Sequence, residues 1–340
     1  MFEIDFKFVE PFELENGGSV DSLELRCSIY GRLNRDKSNA VLVFHALTGS
    51  SRIADWWGNL LGRELGLDTS RFAFVCVNII GSCYGSTDAS KIRKGAARRG
   101  GKTPVITTRD VARSNFKLVE YLGIKKFRAV VGGSVGGMLA LQFAADYPEL
   151  AEKCVAIGST PLSPMGLALN HLQRQAVRLG DLGLARKIAM ISYKSAELFE
   201  NRFARRPNRN GEMPHEEAES RFDVAGYLDH QGEIFEKRFE PESYRLITKM
   251  MDLFELSDEK IRQIRARTFF IGISTDWLFP ARDVRALAEK FESEGVETEY
   301  IELISPDGHD AFLSDTEKMN EILRRVFAAE DKFLTTEACG

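Results

Sequence analysis

The chain has 340 residues, of which 44% are hydrophobic and 28% are charged, and its formal net charge is −4. This composition is typical of a globular protein with a large core, and the small net charge argues against nucleic acid or an anionic membrane as the main partner. No run approaches roughly 18 apolar residues and no apolar N-terminal signal is present, which argues against a membrane span and against secretion. The five cysteines are scattered without a CxxC pair, so we expect no disulfide framework, no metal site and a cytoplasmic location.

Strand signals recur along the chain. The first 30 residues predict a hairpin, because the Asn16-Gly17-Gly18 turn signal lies between two runs of alternating apolar and polar residues. Six apolar runs rich in Val, Ile and Phe follow: AVLVFHAL (40–47), FAFVCVNII (72–80), FRAVVGG (127–133), CVAIGS (154–159), TFFIGIS (268–274) and TEYIELIS (298–305). Such runs suit strands buried on both faces, and helical patterns at 137–147 and 281–295 lie between some of them. The alternation predicts a doubly wound, mostly parallel α/β sheet.

The middle of the chain has no strand-like run from residue 162 to 265. GLARKIAMISYKSAELFENRF, FDVAGYLDHQGEIFEKRF and PESYRLITKMMDLFEL have helical patterns, and the first places Leu184, Ile188, Ile191, Leu198 and Phe199 on one helical face. The polar segment RRPNRNGEMPHEEAES is predicted to be a loop. These helices either cover the sheet or form a separate cap. A single crossover needs far fewer than about a hundred residues, so we predict an all-helical cap at 162–265 between two parts of the core, 1–161 and 266–340.

GGSVG (132–136) matches the motif G-x-S-x-G and lies between a predicted buried strand and a predicted helix. In that context a serine occupies a tight strand-to-helix turn, and small neighbours let the turn close. Ser134 is therefore the candidate nucleophile of an α/β-hydrolase fold. A plain glycine-rich turn and a dinucleotide-phosphate loop are the alternatives, but a phosphate loop follows the first strand, whereas this one follows several.

Candidate partners for Ser134 occur in the order that this fold uses, serine, acid, histidine. Asp276 follows the predicted strand 268–274, and His309 follows the predicted strand 298–305. Loops beyond the carboxyl ends of strands are where open α/β sheets build their sites. We expect His309 to accept the serine proton and Asp276 to orient the imidazole.

The second feature of such a site is an oxyanion hole. We expect its two donors to be the backbone N–H groups of Val135, directly after the nucleophile, and Leu47, in the loop after the strand at 40–45. His45 begins that loop, and we interpret it as a buried histidine that shapes the loop without transferring protons.

Motifs distributed over the chain carry a resemblance to a known family. They include HALTG (45–49), DWWGNLLG (55–62), GGSVGGMLAL (132–141), LARKIAMISYKS (184–195), YLDHQGEIFEKRFEPESYRLITKMMDL (227–253), GISTDWLFP (272–280) and SPDGHDAFL (305–313). With these motifs, from about residue 38 to 315, the chain resembles the homoserine O-acetyltransferase family. Several of them lie away from the triad and are not general to α/β hydrolases.

The resemblance implies an acyl transfer from acetyl-CoA to the hydroxyl of homoserine, by a ping-pong mechanism through an acyl-serine, with no bound cofactor. It also implies that Thr48, Arg186 and Tyr193 contact substrate and that Asp310 binds the substrate amino group. A planar guanidinium suits a carboxylate and a carboxylate suits an ammonium, although either residue alone is also compatible with a solvated or capping role. The resemblance further implies a homodimer through the helical cap.

Alternatives from other function classes remain open at this point. An esterase or thioesterase would use the same triad with water as acceptor, and related transferases would use serine or succinyl-CoA. A non-catalytic binding protein of the same fold is a further possibility. KIRKGAARRGGK (91–102), with six basic residues in twelve, either receives the CoA phosphates or is a solvated loop.

Overall fold

An eight-stranded sheet forms the centre of the computed structural model, which describes residues 1–92 and 105–328. Its strands are β1 (Phe2–Phe8), β2 (Leu23–Tyr30), β3 (Ala40–Phe44), β4 (Ala73–Val77), β5 (Ala129–Gly133), β6 (Lys153–Ile157), β7 (Arg267–Ile273) and β8 (Thr298–Leu303). They lie in the order β1-β2-β4-β3-β5-β6-β7-β8. The pairs β1–β2 and β2–β4 are antiparallel, and strands β3 to β8 run parallel to one another. All six predicted runs form strands of this sheet, so the predicted mostly parallel α/β architecture is confirmed.

Both faces of the sheet are covered. In β3, Ala40, Leu42 and Phe44 belong to one hydrophobic cluster while Val41 and Val43 belong to another. All of these side chains are buried. A strand that is buried on both faces needs apolar residues at every position, which is why its sequence is a continuous apolar run.

The N-terminal hairpin differs from the prediction. Only Phe12–Glu13 and Ser19–Val20 pair across the turn, in a separate two-stranded sheet. The long β2 pairs with β1, which was not among the predicted strands. Apolar residues at Phe2, Ile4 and Phe6 alternate with charged residues, the period of two that a strand requires. A further two-stranded sheet, this one parallel, pairs Leu61–Gly62 with Leu67–Asp68.

Helices lie on both faces of the sheet and in the inserted region. The longer ones are α1 (Thr108–Leu122), α2 (Val135–Asp146), α3 (Pro164–Arg178), α4 (Leu182–Ser192), α5 (Ala196–Phe203), α6 (Asp223–Glu236), α7 (Pro241–Asp252), α8 (Asp258–Gln263), α9 (Ala281–Ser293) and α10 (Thr316–Ala328). Short helices occur at Ala54–Trp57, Gly58–Leu60, Ala89–Lys91, Gly308–Asp310 and Ala311–Ser314. The stretch between β6 and β7, described throughout, contributes no strand to the main sheet. That stretch is helical as predicted, while its limits as a domain, 162–265, stay a prediction.

The helical face predicted across 183–203 is interrupted. The first helix, α4, ends at Ser192. Ser195 then caps the next helix, because its hydroxyl accepts a hydrogen bond from the Leu198 N–H at 2.9 Å. Leu184 and Ile191 are 41% and 46% exposed, so this part of the predicted face does not pack inside the chain, whereas Ile188, Leu198 and Phe199 are half-buried. The buried residues of α4 are on another face: Leu182, Gly183, Ala185, Ala189, Met190 and Ser192. Small residues there let α4 approach its helical neighbours closely.

Among residues 1–92 and 105–328, no helix is both long and apolar enough to cross a lipid bilayer.

Candidate active site

Ser134 lies at the turn between β5 and α2 with φ 59° and ψ −129°. L-residues rarely adopt a positive φ, and such a conformation costs about 1–3 kcal/mol unless the surroundings hold it. The surroundings here leave no room for side chains. A Cβ added at Gly132 would lie 2.2 Å from the Gly136 carbonyl, and one at Gly136 would lie 2.2 Å from the Phe44 carbonyl oxygen. The glycines of the motif therefore let the turn close against β3 and hold the serine in its strained position.

Asp276 and His309 form a buried acid–base pair. His309 Nδ1 donates to Asp276 Oδ2 at 2.6 Å, and both residues are almost fully buried. The other carboxylate oxygen, Oδ1, accepts the N–H groups of Leu278 and Phe279 at 2.9 Å each. With both oxygens occupied, the carboxylate is fixed in place and orients the imidazole so that Nε2 points away from it.

The imidazole of His309 lies in an aromatic environment. Its ring centroid is 5.2 Å from that of Phe279, 5.5 Å from Phe312 and 5.7 Å from Tyr193. Burial alone would lower the pKa of His309, but the Asp276 charge and hydrogen bond outweigh it, and the pKa is raised. His309 Nε2 is buried and has no hydrogen-bond partner among the described residues. A buried, unpartnered ring nitrogen is the acceptor that a general base requires.

Shared neighbours bring Ser134 to the same place as the acid–base pair. The Ser134 N–H donates to the Ile157 carbonyl at 2.8 Å, at the end of β6. At the next residue, Gly158, an added Cβ would lie 3.4 Å from both the Asp276 carboxylate and the His309 ring. Ser134, His309 and Asp276, the predicted nucleophile, base and acid, thus lie near one another beyond the carboxyl ends of β5, β8 and β7.

The peptide between Ala46 and Leu47 is held in one orientation. The Ala46 carbonyl accepts hydrogen bonds from His45 Nδ1 at 2.8 Å and from the Gly49 N–H at 2.9 Å. In a trans peptide the N–H points opposite to the carbonyl. The Leu47 N–H therefore points away from these donors. Val135 is the first residue of α2, where helix N–H groups lack intrahelical acceptors. Leu47 and Val135 remain the predicted oxyanion donors. The backbone is held in one orientation at each of them, by the hydrogen bonds to the Ala46 carbonyl and by the start of α2.

His45 is fully buried and structural, as interpreted from the sequence. Its Nε2 accepts the Ile79 N–H at 3.1 Å, which leaves the proton on Nδ1 for the Ala46 carbonyl. Burial lowers the pKa of His45 to about 4, so the ring is neutral at physiological pH. A neutral ring in this tautomer supports the loop and is not available for proton transfer.

The segment Tyr193–Ser195, between α4 and α5, contacts the loops that carry both Asp276 and His309. The Tyr193 carbonyl accepts the Asp310 N–H at 3.1 Å, and the Lys194 carbonyl accepts Trp277 Nε1 at 2.9 Å. The Ser195 hydroxyl donates to the Pro306 carbonyl. We call this segment the strap. It ties the inserted helices directly to the catalytic loops.

Two of the four predicted substrate-binding residues, Arg186 and Thr48, line a common cleft. The Arg186 guanidinium lies 5.9 Å from the Tyr193 ring centroid, and Tyr193 in turn packs against His309. Arg186 and Thr48 line one open cleft of about 430 Å³, together with Ala46, Gly49, Ser50, Asp55, Trp56, Tyr84, Arg238 and Leu313. Ala46 and Thr48 flank Leu47, so the cleft borders the predicted oxyanion hole.

Asp310 is already paired in the structure. Its Oδ2 lies 2.7 Å from Lys194 Nζ, and both side chains are largely buried. Lys194, which comes directly after Tyr193, was not among the predicted site residues. A substrate ammonium at Asp310 would therefore share this carboxylate with a lysine.

Known proteins share the fold and much of the sequence of this chain. A family model described as alpha/beta hydrolase fold matches residues 39–316. The chain is 38% identical to a homoserine O-acetyltransferase of Thermus thermophilus, over 92% of this chain and 88% of that protein. It superposes on a homoserine O-acetyltransferase structure from Bacillus anthracis with a TM-score of 0.82 at 22% identity, covering 97% and 99% of the two chains. It also superposes on esterase E22 with a TM-score of 0.82 at 19% identity, covering 96% and 99%.

The chain belongs to the homoserine O-acetyltransferase family. The predicted family, the α/β-hydrolase fold and the assignment as an acyltransferase enzyme are confirmed. The roles of individual residues in this member of the homoserine O-acetyltransferase family, and its cytoplasmic location, stay predictions. Lys94, Arg98 and Arg99 of the basic segment lie outside the described residues.

In this member of the homoserine O-acetyltransferase family, two residues near the site were not predicted from the sequence. They are Lys194, which pairs with Asp310, and Arg238, which lines the cleft. Both lie within motifs that carry the resemblance, LARKIAMISYKS and EKRFEPES. Lys194 could have been predicted, because it is a basic residue directly after the expected substrate contact Tyr193. For Arg238 no local pattern indicates a partner, because Thr48 is distant in the sequence.

Proposed function

We propose that this protein transfers an acetyl group from acetyl-CoA to the hydroxyl of L-homoserine through an acetyl-Ser134 intermediate. The observation that carries the proposal is the buried Asp276–His309 pair, with an unpartnered Nε2, at the same sheet edge as the strained Ser134. An intact acid–base pair of this kind has no use in a purely binding protein.

In the first half-reaction, His309 Nε2 accepts the proton of Ser134 Oγ as the oxygen bonds to the thioester carbonyl carbon. The carbonyl oxygen becomes negatively charged and is stabilised by the N–H groups of Leu47 and Val135. When the carbonyl C=O double bond re-forms, the C–S bond breaks. The CoA sulfur leaves as a thiol with the proton from His309, and Ser134 carries the acetyl group.

In the second half-reaction, the homoserine hydroxyl takes the place of CoA. His309 Nε2 accepts the hydroxyl proton while the homoserine oxygen bonds to the acetyl carbon. The same N–H groups stabilise the second tetrahedral intermediate. Collapse breaks the bond to Ser134 Oγ, which regains its proton from His309, and O-acetylhomoserine leaves.

Charge complementarity supports an amino-acid acceptor. Arg186 presents a cationic fork to the cleft for the substrate carboxylate, and Asp310 presents a carboxylate for the ammonium beside His309. Tyr193 lies between these two charged groups, and burial raises its pKa to about 12, so its hydroxyl stays protonated. Thr48 borders the cleft next to Leu47. Water carries no carboxylate or ammonium, so these groups favour transfer over hydrolysis.

The proposal is tested by measuring CoA release from acetyl-CoA with homoserine, serine or no amino acid as acceptor. We expect release that depends on homoserine and yields O-acetylhomoserine. Release that is independent of added homoserine would assign a thioesterase, and faster release with serine or with succinyl-CoA would assign a related transferase.

Replacing Arg186 by methionine should weaken homoserine binding. Loss of a hydrogen bond to a charged group is worth about 1.5–3 kcal/mol, so KM for homoserine should rise by roughly tenfold to a hundredfold. Arg186→Lys keeps the charge without the planar fork and should lie between. Steady-state kinetics at saturating acetyl-CoA provide the measurement. An unchanged KM for homoserine in Arg186→Met would contradict this role.

We infer that the protein forms a homodimer through its cap. The outward face of α4 carries Leu184 and Ile191, both exposed, and burying such residues is what a second copy provides. The double variant Leu184→Glu and Ile191→Glu should reduce the molar mass measured by light scattering from dimer to monomer. Val9→Glu is the control, because Val9 is 78% exposed and directly follows the edge strand β1, away from the cap. A wild-type monomer, or a double variant that stays dimeric, would contradict the inference.

A further inference from the structure

Arg238 lies just beyond α6 and reaches from the inserted helices to the loop of the predicted oxyanion hole. Its Nη1 donates to the Thr48 carbonyl at 3.0 Å and to the Tyr84 hydroxyl at 2.7 Å. A guanidinium NH₂ group has two hydrogens, so both are used. The guanidinium also lies over the Phe235 ring, 5.2 Å from its centroid. The side chain is thus oriented by three contacts although it is exposed.

The Thr48 carbonyl is one of two carbonyls, on either side of Leu47, that accept hydrogen bonds and hold this loop. The other is the Ala46 carbonyl, which accepts hydrogen bonds from His45 and Gly49. Leu47, the expected donor, lies between them. His45 is buried in the core, whereas Arg238 comes from the inserted helices. The orientation of the Leu47 N–H therefore depends on a core residue on one side and on the cap on the other.

The second partner of Arg238 is itself rigidly placed. The Tyr84 ring packs edge-on against Phe239, with centroids 5.7 Å apart. The Tyr84 carbonyl accepts Asn78 Nδ2 at 2.5 Å, and Asn78 Oδ1 accepts the Ser51 N–H at 2.6 Å. Ser51 lies three residues beyond Thr48 in the same loop. Arg238 therefore joins two segments that are already connected, which restricts the movement of Thr48.

We propose that Arg238 is a positioning residue for the acylation of Ser134: by holding the Thr48 carbonyl from the cap, it keeps the Leu47 N–H directed at the developing oxyanion. The inference rests on the acyl-Ser134 chemistry proposed above. It differs from a role in binding the substrate carboxylate, since Nη1 is occupied by protein acceptors. A positioning role affects the rate of the chemical step, whereas a binding role affects KM.

The experiment measures the burst of nitrophenolate when p-nitrophenyl acetate acetylates the enzyme, a step that needs no amino-acid acceptor. The test variant is Arg238→Met, which removes the donors and keeps an unbranched stem over Phe235. We expect acetylation to slow by about tenfold or more, less than the loss of roughly 100-fold to 1,000-fold for deleting an oxyanion donor, with KM for the ester unchanged. Arg238→Lys can still donate to the Thr48 carbonyl and should recover part of the rate.

Two matched controls identify the contact responsible. Tyr84→Phe removes one of the two acceptors of Nη1 but leaves the bond from Arg238 to Thr48, so its burst rate should fall much less than that of Arg238→Met. Arg205→Met removes another exposed guanidinium of the cap, one that lies over Phe222 at 5.1 Å, and should change nothing.

The possible outcomes are distinct. A slower burst in Arg238→Met with wild-type KM and melting temperature supports the inference. An unchanged burst, or a raised KM at unchanged rate, overturns it. An equal loss in Tyr84→Phe also overturns it, because the Thr48 contact would then not be the one that matters. If the wild type itself gives no burst, the proposed acyl-enzyme chemistry fails instead.

Discussion

Replacing Ser134 by alanine should lower kcat for acetyl transfer by about a million-fold, the scale seen when a triad nucleophile is removed. No other side chain is expected to occupy the position that the strained turn gives to Oγ. The measurement is CoA release from acetyl-CoA, together with the intact mass of the protein, which should show no acetylation. A variant that still becomes acetylated would show that another residue is the nucleophile.

Ser134→Gly is the matched control for this result. It lacks the hydroxyl, as alanine does, but glycine adopts a positive φ without strain. We therefore expect the same loss of activity and a melting temperature above that of Ser134→Ala. Equal inactivity in two variants of different stability would assign the effect to the missing nucleophile and not to misfolding.

Replacing Asp276 by asparagine should lower kcat by about ten-thousand-fold, because the amide stabilises the wrong imidazole tautomer. It should also move the pH profile. In the wild type the pKa of His309 is raised, and the imidazole is protonated and inactive as a base below that pKa. Removing the carboxylate removes the main contribution that raises the pKa, so the acidic limb of kcat/KM should move to lower pH.

Asp307→Asn is the control for the pH profile. Asp307 lies two residues before His309, but its carboxylate accepts a hydrogen bond from the Ser314 hydroxyl and not from the imidazole. Its removal should leave the acidic limb in place. An acidic limb that stays fixed in Asp276→Asn, or that moves equally in Asp307→Asn, would contradict direct pairing of Asp276 with His309.

The parts of the site that follow from local patterns could be predicted from the sequence. The run AVVGG forms β5 because it is apolar throughout, and the glycines after it permit the turn at Ser134. Asp276 and His309 each follow a strand that is recognisable in the sequence, and parallel strands place their carboxyl ends at one edge of the sheet. Sequence order and strand position were therefore enough to bring distant residues together.

Other parts depend on packing that no local pattern contains. The apolar residues Leu184 and Ile191 suggest a buried face, yet α4 packs through its small residues instead. The pairing of Lys194 with Asp310 joins residues that are far apart in the chain. Such a contact is decided by how the cap docks on the core, so the sequence indicated a free carboxylate where the structure has an ion pair.

The strap has a consequence for how substrates reach the site. Its three residues are hydrogen-bonded to the loops that hold Asp276 and His309, and an added Cβ at Gly308 would lie 2.6 Å from the Ser195 nitrogen. A cap that swung open as a rigid lid would separate these groups and disorganise the acid–base pair on each turnover. We therefore expect substrates to enter through the cleft beside Arg186 while the cap stays closed. On the proposed mechanism, acetyl-CoA and the departing CoA would then use the same entrance as the acceptor that follows them. Sequential occupancy of one entrance is compatible with the proposed ping-pong order, because CoA leaves before the acceptor binds.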